Sequence, residues 1–256
     1  MHSLQVDAVL FDLDGTLVDE SESYREAIRS TAQRLLREPV TIEETLAIKR
    51  HPGLNNDWDA TWALVAQRRG RQSAAPTEEQ RRSAEYARLK SVFQTYYLGS
   101  ATWEELSGEN PPFQWDEPLI ERETPLVSRE TLAGLRPFAR GIATSRPRPE
   151  ALMALRQHAL EEYFPPALVI AREDAPREKP DPAPLIALVA RLDCRQPVYV
   201  GDTVNDALAA EAAGMPFIAV GPLAPEMDAP YRLRDVNGLW TILAELPAGG
   251  HVYSHG

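Results

Sequence analysis

The sequence predicts an α/β fold, a doubly wound parallel sheet whose chain is interrupted by an inserted all-helical segment. Short apolar runs alternate with helical patterns from residue 128 onward, and a further apolar run, VLF, stands at 9–11. Buried strands separated by helices are typical of parallel sheets. Residues 20–125 break this rhythm, because they offer helical patterns and no convincing strand.

The sheet-forming part of the chain carries local signals for helix starts. Ser128 stands where an N-cap is expected, and Pro182 falls in the first turn of a helix, where its missing N–H costs nothing. The predicted strands cover 139–145, 167–171, 197–202 and 216–221. The predicted helices cover 128–138, 148–160, 181–193, 205–213 and 237–246.

The inserted segment also begins its helices with recognisable caps. Thr41 and Glu44 have the spacing of a capping box, and Ser21 or Ser23 is a candidate cap for the preceding helix. The predicted helices of this segment cover 21–38, 41–50, 56–69 and 77–98.

Composition bounds the class of protein. The 256 residues are 43% hydrophobic and 25% charged, which suits one large or two moderate globular domains. The net charge of −11 argues against a broad nucleic-acid surface. A single cysteine, Cys194, excludes an internal disulfide and fits a reducing cytoplasm. No signal peptide or membrane-length apolar run is visible, so we expect a cytoplasmic protein without nucleic-acid or membrane partners and leave its oligomeric state open.

The most informative stretch is VLFDLDGT at 9–16. Alternate side chains of a strand point the same way, so Asp12 and Asp14 should emerge together at the carboxyl end of a buried strand. Open α/β sheets bind ligands at that edge. Two close carboxylates repel each other, and a bound Mg²⁺ would remove the conflict. Taken alone, the motif also fits a strand followed by a polar glycine turn.

Three later motifs carry further candidate residues. The run GIATS ends in Thr144 and Ser145, and the segment REKPDPAP places Lys179 just before a proline-marked helix start. The segment GDTVND follows an apolar run and carries Asp202 and Asp206. These last two residues would also suit the N-terminal capping of a helix.

The four motifs, in this order and rough spacing, resemble those of the haloacid dehalogenase (HAD) superfamily of aspartyl phosphotransferases, in its phosphatase branch. The resemblance covers roughly 1–19 and 128–222. It implies a HAD-like Rossmannoid catalytic core formed by 1–19 and 126–256. It also implies that 20–125 form a helical cap domain of the first type.

By this resemblance Asp12 is the nucleophile, which forms an aspartyl-phosphate, and Asp14 is the general acid and base. The backbone carbonyl of Asp14 should also reach Mg²⁺. Asp202 is the expected second carboxylate ligand, and Asp206 is expected to hold a metal-bound water. The expected metal set is therefore Asp12, Asp14, Asp202 and Asp206.

The remaining motif residues are expected to bind the phosphate. Thr144 should offer its hydroxyl and its backbone N–H, and Lys179 should offset the charges of Asp12 and the phosphate. The backbone amides of Leu13, Asp14 and Ser145 are expected to complete the cradle.

Two features are candidates for recognising the rest of the substrate. Arg146 follows Ser145 and either binds a second anionic group or forms a salt bridge with the cap. In the cap stretch NNDWD, Asn55, Asn56 and Trp58 form either a specificity loop or a plain helix N-cap with Trp58 in the cap core.

These residues predict a Mg²⁺-dependent phosphatase that acts on a small phosphorylated metabolite. A haloacid dehalogenase would share the first aspartate but needs neither the second acid nor the acidic fourth motif. A sugar-phosphate mutase would use the same residues, so only its product distinguishes it. A phospho-accepting signalling receiver would be much shorter and would lack the helical cap.

Overall fold

The computed structural model describes residues 6–49, 51, 54, 56–72, 74–227 and 229–244. It divides into two compact units, which are described separately. The first, here called the core unit, contains the described residues of Met1–Asp19 and Thr124–Gly256, and the second, the inserted unit, is Glu20–Glu123. Across the described residues, every helix is too short or too polar to cross a membrane.

The described residues form eight strands, all of them in the core unit. They are β1 (Ala8–Phe11), β2 (Val18–Asp19), β3 (Thr124–Pro125), β4 (Ala139–Ala143), β5 (Val169–Ile170), β6 (Pro197–Gly201), β7 (Phe217–Ala219) and β8 (Tyr231–Arg232).

The inserted unit contains α1 (Ser21–Leu36), α2 (Ile42–Lys49), α3 (Asp57–Arg68), α4 (Glu78–Arg81), α5 (Ala84–Leu98) and α6 (Ser100–Ser107). The core unit contains α7 (Arg129–Gly134), α8 (Arg148–Gln157), α9 (Ala183–Leu192), α10 (Val204–Ala212) and α11 (Leu239–Leu243).

Six strands form one parallel sheet in the order β5-β4-β1-β6-β7-β8. The chain extends this sheet in one direction from β1 through β4 to β5, and then returns to β6 and extends it in the other. Such a reversal opens a crevice at the carboxyl ends of the strands. The predicted doubly wound sheet and the all-helical insertion are confirmed.

The two faces of the sheet bury separate apolar clusters, as strand alternation requires. Val9 and Phe11 of β1 pack on one face, whereas Ala8 and Leu10 pack on the other. Helices α7, α8 and α11 cover the first face, and α9 and α10 cover the second. Since β1 is buried on both sides, it is a rigid support for the residues that follow it.

Three short strands were absent from the sequence prediction. The strand β8 adds a parallel edge to the sheet beside β7. Strands β2 and β3 pair antiparallel, with Val18 opposite Pro125 and Asp19 opposite Thr124, where the chain leaves and re-enters the core unit. A strand of two residues shows no periodicity, so only its long-range partner reveals it.

The inserted unit is built around an aromatic and polar interior. Tyr24 of α1 stacks on Tyr97 of α5, with ring centroids 4.8 Å apart. Glu123 is buried and accepts hydrogen bonds from Ser23 Oγ at 2.9 Å and from Tyr97 Oη at 2.8 Å. These bonds satisfy a carboxylate that would otherwise be costly to bury.

The predicted helix caps have mixed outcomes. The capping box of Thr41 and Glu44 is present, and Ser128 caps α7. The suggestion that Ser21 or Ser23 caps α1 is wrong, because the N-cap is Glu20, which makes no side-chain cap bond. The predicted helix over 77–98 is interrupted between α4 and α5, where Ser83 starts a new helix as an N-cap.

Candidate active site

Asp12 directly follows the central strand β1 and is 6% exposed. Its N–H donates to Val200 O of β6 at 2.9 Å, and its Oδ1 accepts from the N–H of Leu13 at 2.8 Å. The backbone on both sides of Asp12 is therefore held by hydrogen bonds, and its carboxylate is fixed at the carboxyl end of the sheet.

Two further carboxylates meet Asp12 at this edge. Asp202 comes directly after β6, and Asp206 lies in the first turn of α10. One oxygen from each of the three side chains lies within 4.8 Å of the other two. The neighbouring strands β1 and β6 thus bring together residues that are almost two hundred positions apart. We call Asp12, Asp202 and Asp206 the carboxylate cluster.

Two glycines, which have no side chains, provide space for the carboxylate cluster. Gly15 has a φ of 67°, and a Cβ added there would lie 2.1 Å from Asp202 Oδ2. A Cβ at Gly201 would lie 2.6 Å from Asp206 Cβ. The close approach of the Asp202 carboxylate to the turn after β1 therefore requires glycine at position 15.

Lys179 is the cation of this cluster. Its Nζ lies 2.8 Å from Asp12 Oδ1 and 2.6 Å from Asp206 Oδ1, and its side chain is 5% exposed. Lys179 reaches these oxygens from a loop that precedes α9. A buried ammonium between two carboxylates offsets part of their mutual repulsion.

The buried charges shift the pKa values of the cluster. Burial, with added repulsion from Asp206 and Asp14, raises the pKa of Asp12 to about 7, although Lys179 opposes this shift. Burial also works against ionised Asp206, but the charge and hydrogen bond of Lys179 hold its pKa below the ordinary value. The pKa of Lys179 is raised, because attraction to Asp12 and Asp206 outweighs burial.

Asp206 also caps the helix on which it lies. Its Oδ2 accepts from the N–H of Thr203 at 3.0 Å and from Thr203 Oγ1 at 2.5 Å, and the Thr203 hydroxyl in turn accepts from the Asp206 N–H. Its Oδ1 faces Lys179. The capping interaction that the sequence suggested for Asp206 is therefore present, together with a contact to Lys179 that the sequence did not predict.

Tyr199 is a part of this network that the sequence analysis missed. Its hydroxyl lies 3.0 Å from Lys179 Nζ, 2.9 Å from Asp206 Oδ1 and 3.2 Å from Ala143 O. The side chain is buried, and burial together with the charge of Asp206 raises its pKa. In sequence Tyr199 belongs to the apolar run PVYV, which predicts a strand and gives no sign of a polar contact.

Asp14 is not one of the three residues of the carboxylate cluster, and its side chain is held by Arg146. The guanidinium Nε donates to Asp14 Oδ1 at 2.6 Å. Arg146 is 2% exposed and follows β4, so its charge is buried against a carboxylate of the core unit itself. Neither alternative considered for Arg146, a second substrate anion or a cap salt bridge, included this partner.

The expected role of Thr144 needs one correction. Its backbone N–H was expected to bind phosphate, but it donates to Ile170 O at 2.9 Å, in continuation of the pairing of β4 with β5. The Thr144 hydroxyl accepts from the N–H of Arg146 at 3.1 Å and still has its own proton to donate. Ser145 lies between them and is partly exposed.

The candidate residues of the NNDWD stretch belong to the inserted unit. Asn55 lies outside the described residues. Asn56 is the N-cap of α3, and its Oδ1 accepts from the N–H groups of Trp58 and Asp59 at 3.0 and 3.2 Å. Lys90 Nζ lies 4.0 Å from the centroid of the Trp58 ring. In this structure Asn56 therefore has the contacts of a helix cap.

Comparison with known proteins decides the family. The family model described as haloacid dehalogenase-like hydrolase matches residues 6–214. The chain belongs to the haloacid dehalogenase-like hydrolases. The predicted superfamily, its phosphatase branch and the assignment as an enzyme are confirmed, and the matched residues include all four motifs of the core unit.

Individual relatives extend this result. The chain is 31% identical over 228 residues to a phosphoglycolate phosphatase of Salmonella choleraesuis, which covers 86% of this chain and 83% of that protein. The solved structure of phosphatase Tt82 from Thermococcus thioreducens matches with a TM-score of 0.69 and 27% identity, covering 92% of this chain and 98% of that one.

One relative is much longer than this chain. An imidazoleglycerol-phosphate dehydratase of Phytophthora nicotianae is 32% identical over 226 residues, which are 86% of this chain. The match spans only 44% of that protein. The chain therefore corresponds to less than half of this relative.

Proposed function

We propose that the protein is a Mg²⁺-dependent phosphatase that hydrolyses a small phosphomonoester through an aspartyl-phosphate on Asp12. The observation that carries this proposal is the buried carboxylate cluster at the end of β1, with Lys179 bridging Asp12 and Asp206. Asp14 stands two residues further on and supplies a second acid. The cytoplasmic location stays a prediction from the sequence.

The donor set of the site fits Mg²⁺. Three carboxylates meet in a mostly buried space, and Lys179 forms ion pairs with two of them, Asp12 and Asp206. The raised pKa of Asp12 has the same cause, since burial and the neighbouring carboxylates disfavour its charged form. Magnesium prefers oxygen ligands and is bound by one or two carboxylates together with substrate phosphate. Asp12 and Asp202 would hold the ion, and Asp206 would stabilise the arrangement through Lys179.

The residues of the site can be assigned to the two steps of the reaction, formation and hydrolysis of the aspartyl-phosphate. The Asp12 carboxylate attacks phosphorus, and the bond to the leaving oxygen breaks as Asp14 gives that oxygen a proton. In the second step Asp14 takes a proton from water, which attacks phosphorus and releases Asp12. Lys179 and the Thr144 hydroxyl hold the phosphate oxygens. Bound Mg²⁺ would neutralise and orient the phosphate.

Arg146 sets the position of Asp14 in this scheme. The guanidinium is buried and donates to Asp14 Oδ1 through Nε, so it restricts where the carboxylate can point. The same contact fixes the orientation of this side chain before the substrate binds. We propose this positioning role for Arg146 in place of direct substrate binding.

The family and its relatives support a small phosphomonoester as the substrate. The matched relative of Salmonella choleraesuis is named a phosphoglycolate phosphatase, so phosphoglycolate is the first compound to test in a screen of small phosphomonoesters. Release of inorganic phosphate would support hydrolysis, whereas an isomeric phosphoester without phosphate release would identify a mutase.

Loss of the nucleophile tests the mechanism. Asp12→Asn should abolish phosphate release with Mg²⁺ present and should form no acid-stable phosphoprotein on rapid quenching. Asp193→Asn is a matched control, because Asp193 is exposed at the end of α9 and an asparagine accepts the same backbone conformation. Near-normal turnover by Asp12→Asn, or full wild-type activity in excess chelator, would overturn the proposal.

A further inference from the structure

The inserted unit contains a groove of about 430 Å³ beside α1, α3 and α5. This volume lies within the range of about 300–1,000 Å³ that is usual for small-molecule sites. The groove lies wholly within the inserted unit and contains none of the residues assigned above to catalysis. Its charged and aromatic lining consists of Arg34, Arg37, Arg69, Arg88, Glu85 and Trp62.

The lining is strongly basic although the chain is acidic. Four guanidinium groups and one carboxylate surround the groove, in a protein whose net charge is −11. Such a local excess of one sign in a concave surface concentrates counter-ions of the opposite sign. The groove is therefore suited to an anion.

Two of the four arginines are held in place by the inserted unit itself. The Cζ of Arg34 lies 3.7 Å from the centroid of the Phe113 ring. Arg69 donates to Glu85 at 2.7 Å and to Leu35 O at 3.2 Å. These two side chains shape the groove, and less conformational entropy is lost when a ligand meets a side chain that is already ordered.

The other two arginines are available to a ligand. Arg37 directly follows α1 and Arg88 lies on α5, and both are exposed. Within the described part of the chain, neither guanidinium forms an ion pair or a side-chain hydrogen bond. The planar fork of donors on a guanidinium matches the oxygens of a phosphate, and the resulting charge-assisted bonds are strong.

One wall of the groove is apolar and aromatic. Trp62 is partly exposed, and its ring packs against Tyr86 with centroids 5.7 Å apart. Val65 and Leu89 line the same groove and are buried. A partly exposed indole in the wall of a groove offers an aromatic surface on which a planar ring can pack.

The aromatic surface of Trp62 and the two available guanidinium groups together indicate a ligand that has both a planar ring and phosphate groups. We propose that this groove is a binding site for a nucleoside phosphate, with its base on Trp62 and its phosphates on Arg37 and Arg88. The proposal is independent of the reaction at the carboxylate cluster, because it concerns occupancy of the inserted unit alone.

Isothermal titration of the full-length protein with ADP in excess chelator tests the site. Arg37→Gln and Arg88→Gln should each weaken ADP binding about tenfold or more, since each removes a charge-assisted contact to phosphate. Arg82→Gln is the matched control, because Arg82 is an exposed arginine of the same unit outside the groove. Adenosine and pyrophosphate, which each carry half of the ligand, should both bind more weakly than ADP.

Three results would overturn the proposal. One is the absence of ADP binding to the wild type at millimolar concentration. Another is ADP binding that Lys179→Met abolishes but the two groove variants leave unchanged, which would place the ligand at the carboxylate cluster. The third is pyrophosphate binding as tight as that of ADP, which would exclude a role for the base. Because the readout is binding without metal, a failure of the proposed phosphatase activity would not affect it.

Discussion

Replacing Gly15 with alanine tests whether the turn after β1 holds the carboxylate cluster in place. The added Cβ would lie 2.1 Å from Asp202 Oδ2 and 2.5 Å from Asp202 Cγ, whereas ordinary contact lies at 3.4–4 Å. The Asp202 carboxylate must therefore move by roughly 1.3 Å or more to restore normal packing. Displacement of one metal-binding carboxylate should weaken Mg²⁺ binding by about 10–100-fold, the effect seen when the support of a metal ligand is lost.

Gly214→Ala is the matched control for this substitution. Gly214 has a φ of 66°, close to the 67° of Gly15, and a Cβ there would meet nothing within 4 Å. Both variants should lose about 1–2 kcal/mol of stability from the left-handed backbone conformation. Only the Gly15 variant should also lose metal affinity, because only that position contacts Asp202.

The measurements are urea unfolding for stability and calorimetric titration with Mg²⁺ for affinity. We expect the Gly214 variant to bind Mg²⁺ like the wild type and the Gly15 variant to bind it poorly, with kcat/KM reduced in parallel. If both variants bind Mg²⁺ with equal affinity, Asp202 is not a metal ligand held by this turn, and the assignment of the cluster must be revised.

Three further perturbations address the surroundings of the cluster. Tyr199→Phe removes a buried hydroxyl that contacts Lys179 and Asp206, so the free energy of unfolding in urea should fall by about 1–3 kcal/mol. The kcat should also fall, and an unchanged kcat would show that Tyr199 has only a structural role. The pKa of Asp12 is raised from 3.8 to about 7 on folding, so in chelator its contribution to stability should fall as pH rises from about 4 to about 7. Mg²⁺ should therefore raise the melting temperature more at pH 8 than at pH 5. Equal shifts in melting temperature at the two pH values would contradict this. Asn56→Ala should cost about 0.5–2 kcal/mol as a lost helix cap and reduce kcat/KM equally for large and small phosphoesters; a selective loss on the larger one would make it a specificity residue.

The three buried carboxylates support the proposed binding of a metal cation at this site. Lys179 forms ion pairs with Asp12 and Asp206. Folding brings the three carboxylates together because Asp12 follows β1, Asp202 follows β6, and these strands are neighbours in the sheet. The repulsion that results is a consequence of the fold, and the proposed Mg²⁺ would relieve it.

Much of the core could be predicted from the sequence because the relevant signals are local. The apolar run at 9–11 predicted that Asp12 follows a buried strand, and the capping box of Thr41 and Glu44 appeared as expected. The order of the four motifs was sufficient to predict the family that the comparisons confirm. These features depend on residues close together in the sequence or on the order of the motifs, and both can be read before the fold is known.

Other features were decided only by the tertiary structure. The partner of Arg146 is Asp14, which lies 132 positions away, and no local pattern indicates such a contact. The hydroxyl of Tyr199 in β6 contacts Lys179, which lies 20 positions away in the loop before α9. The arginine groove needs three helices to pack before its charges converge. Periodicity predicts which face of an element is buried, but the partner across that face is chosen by long-range packing, which no local sequence pattern encodes.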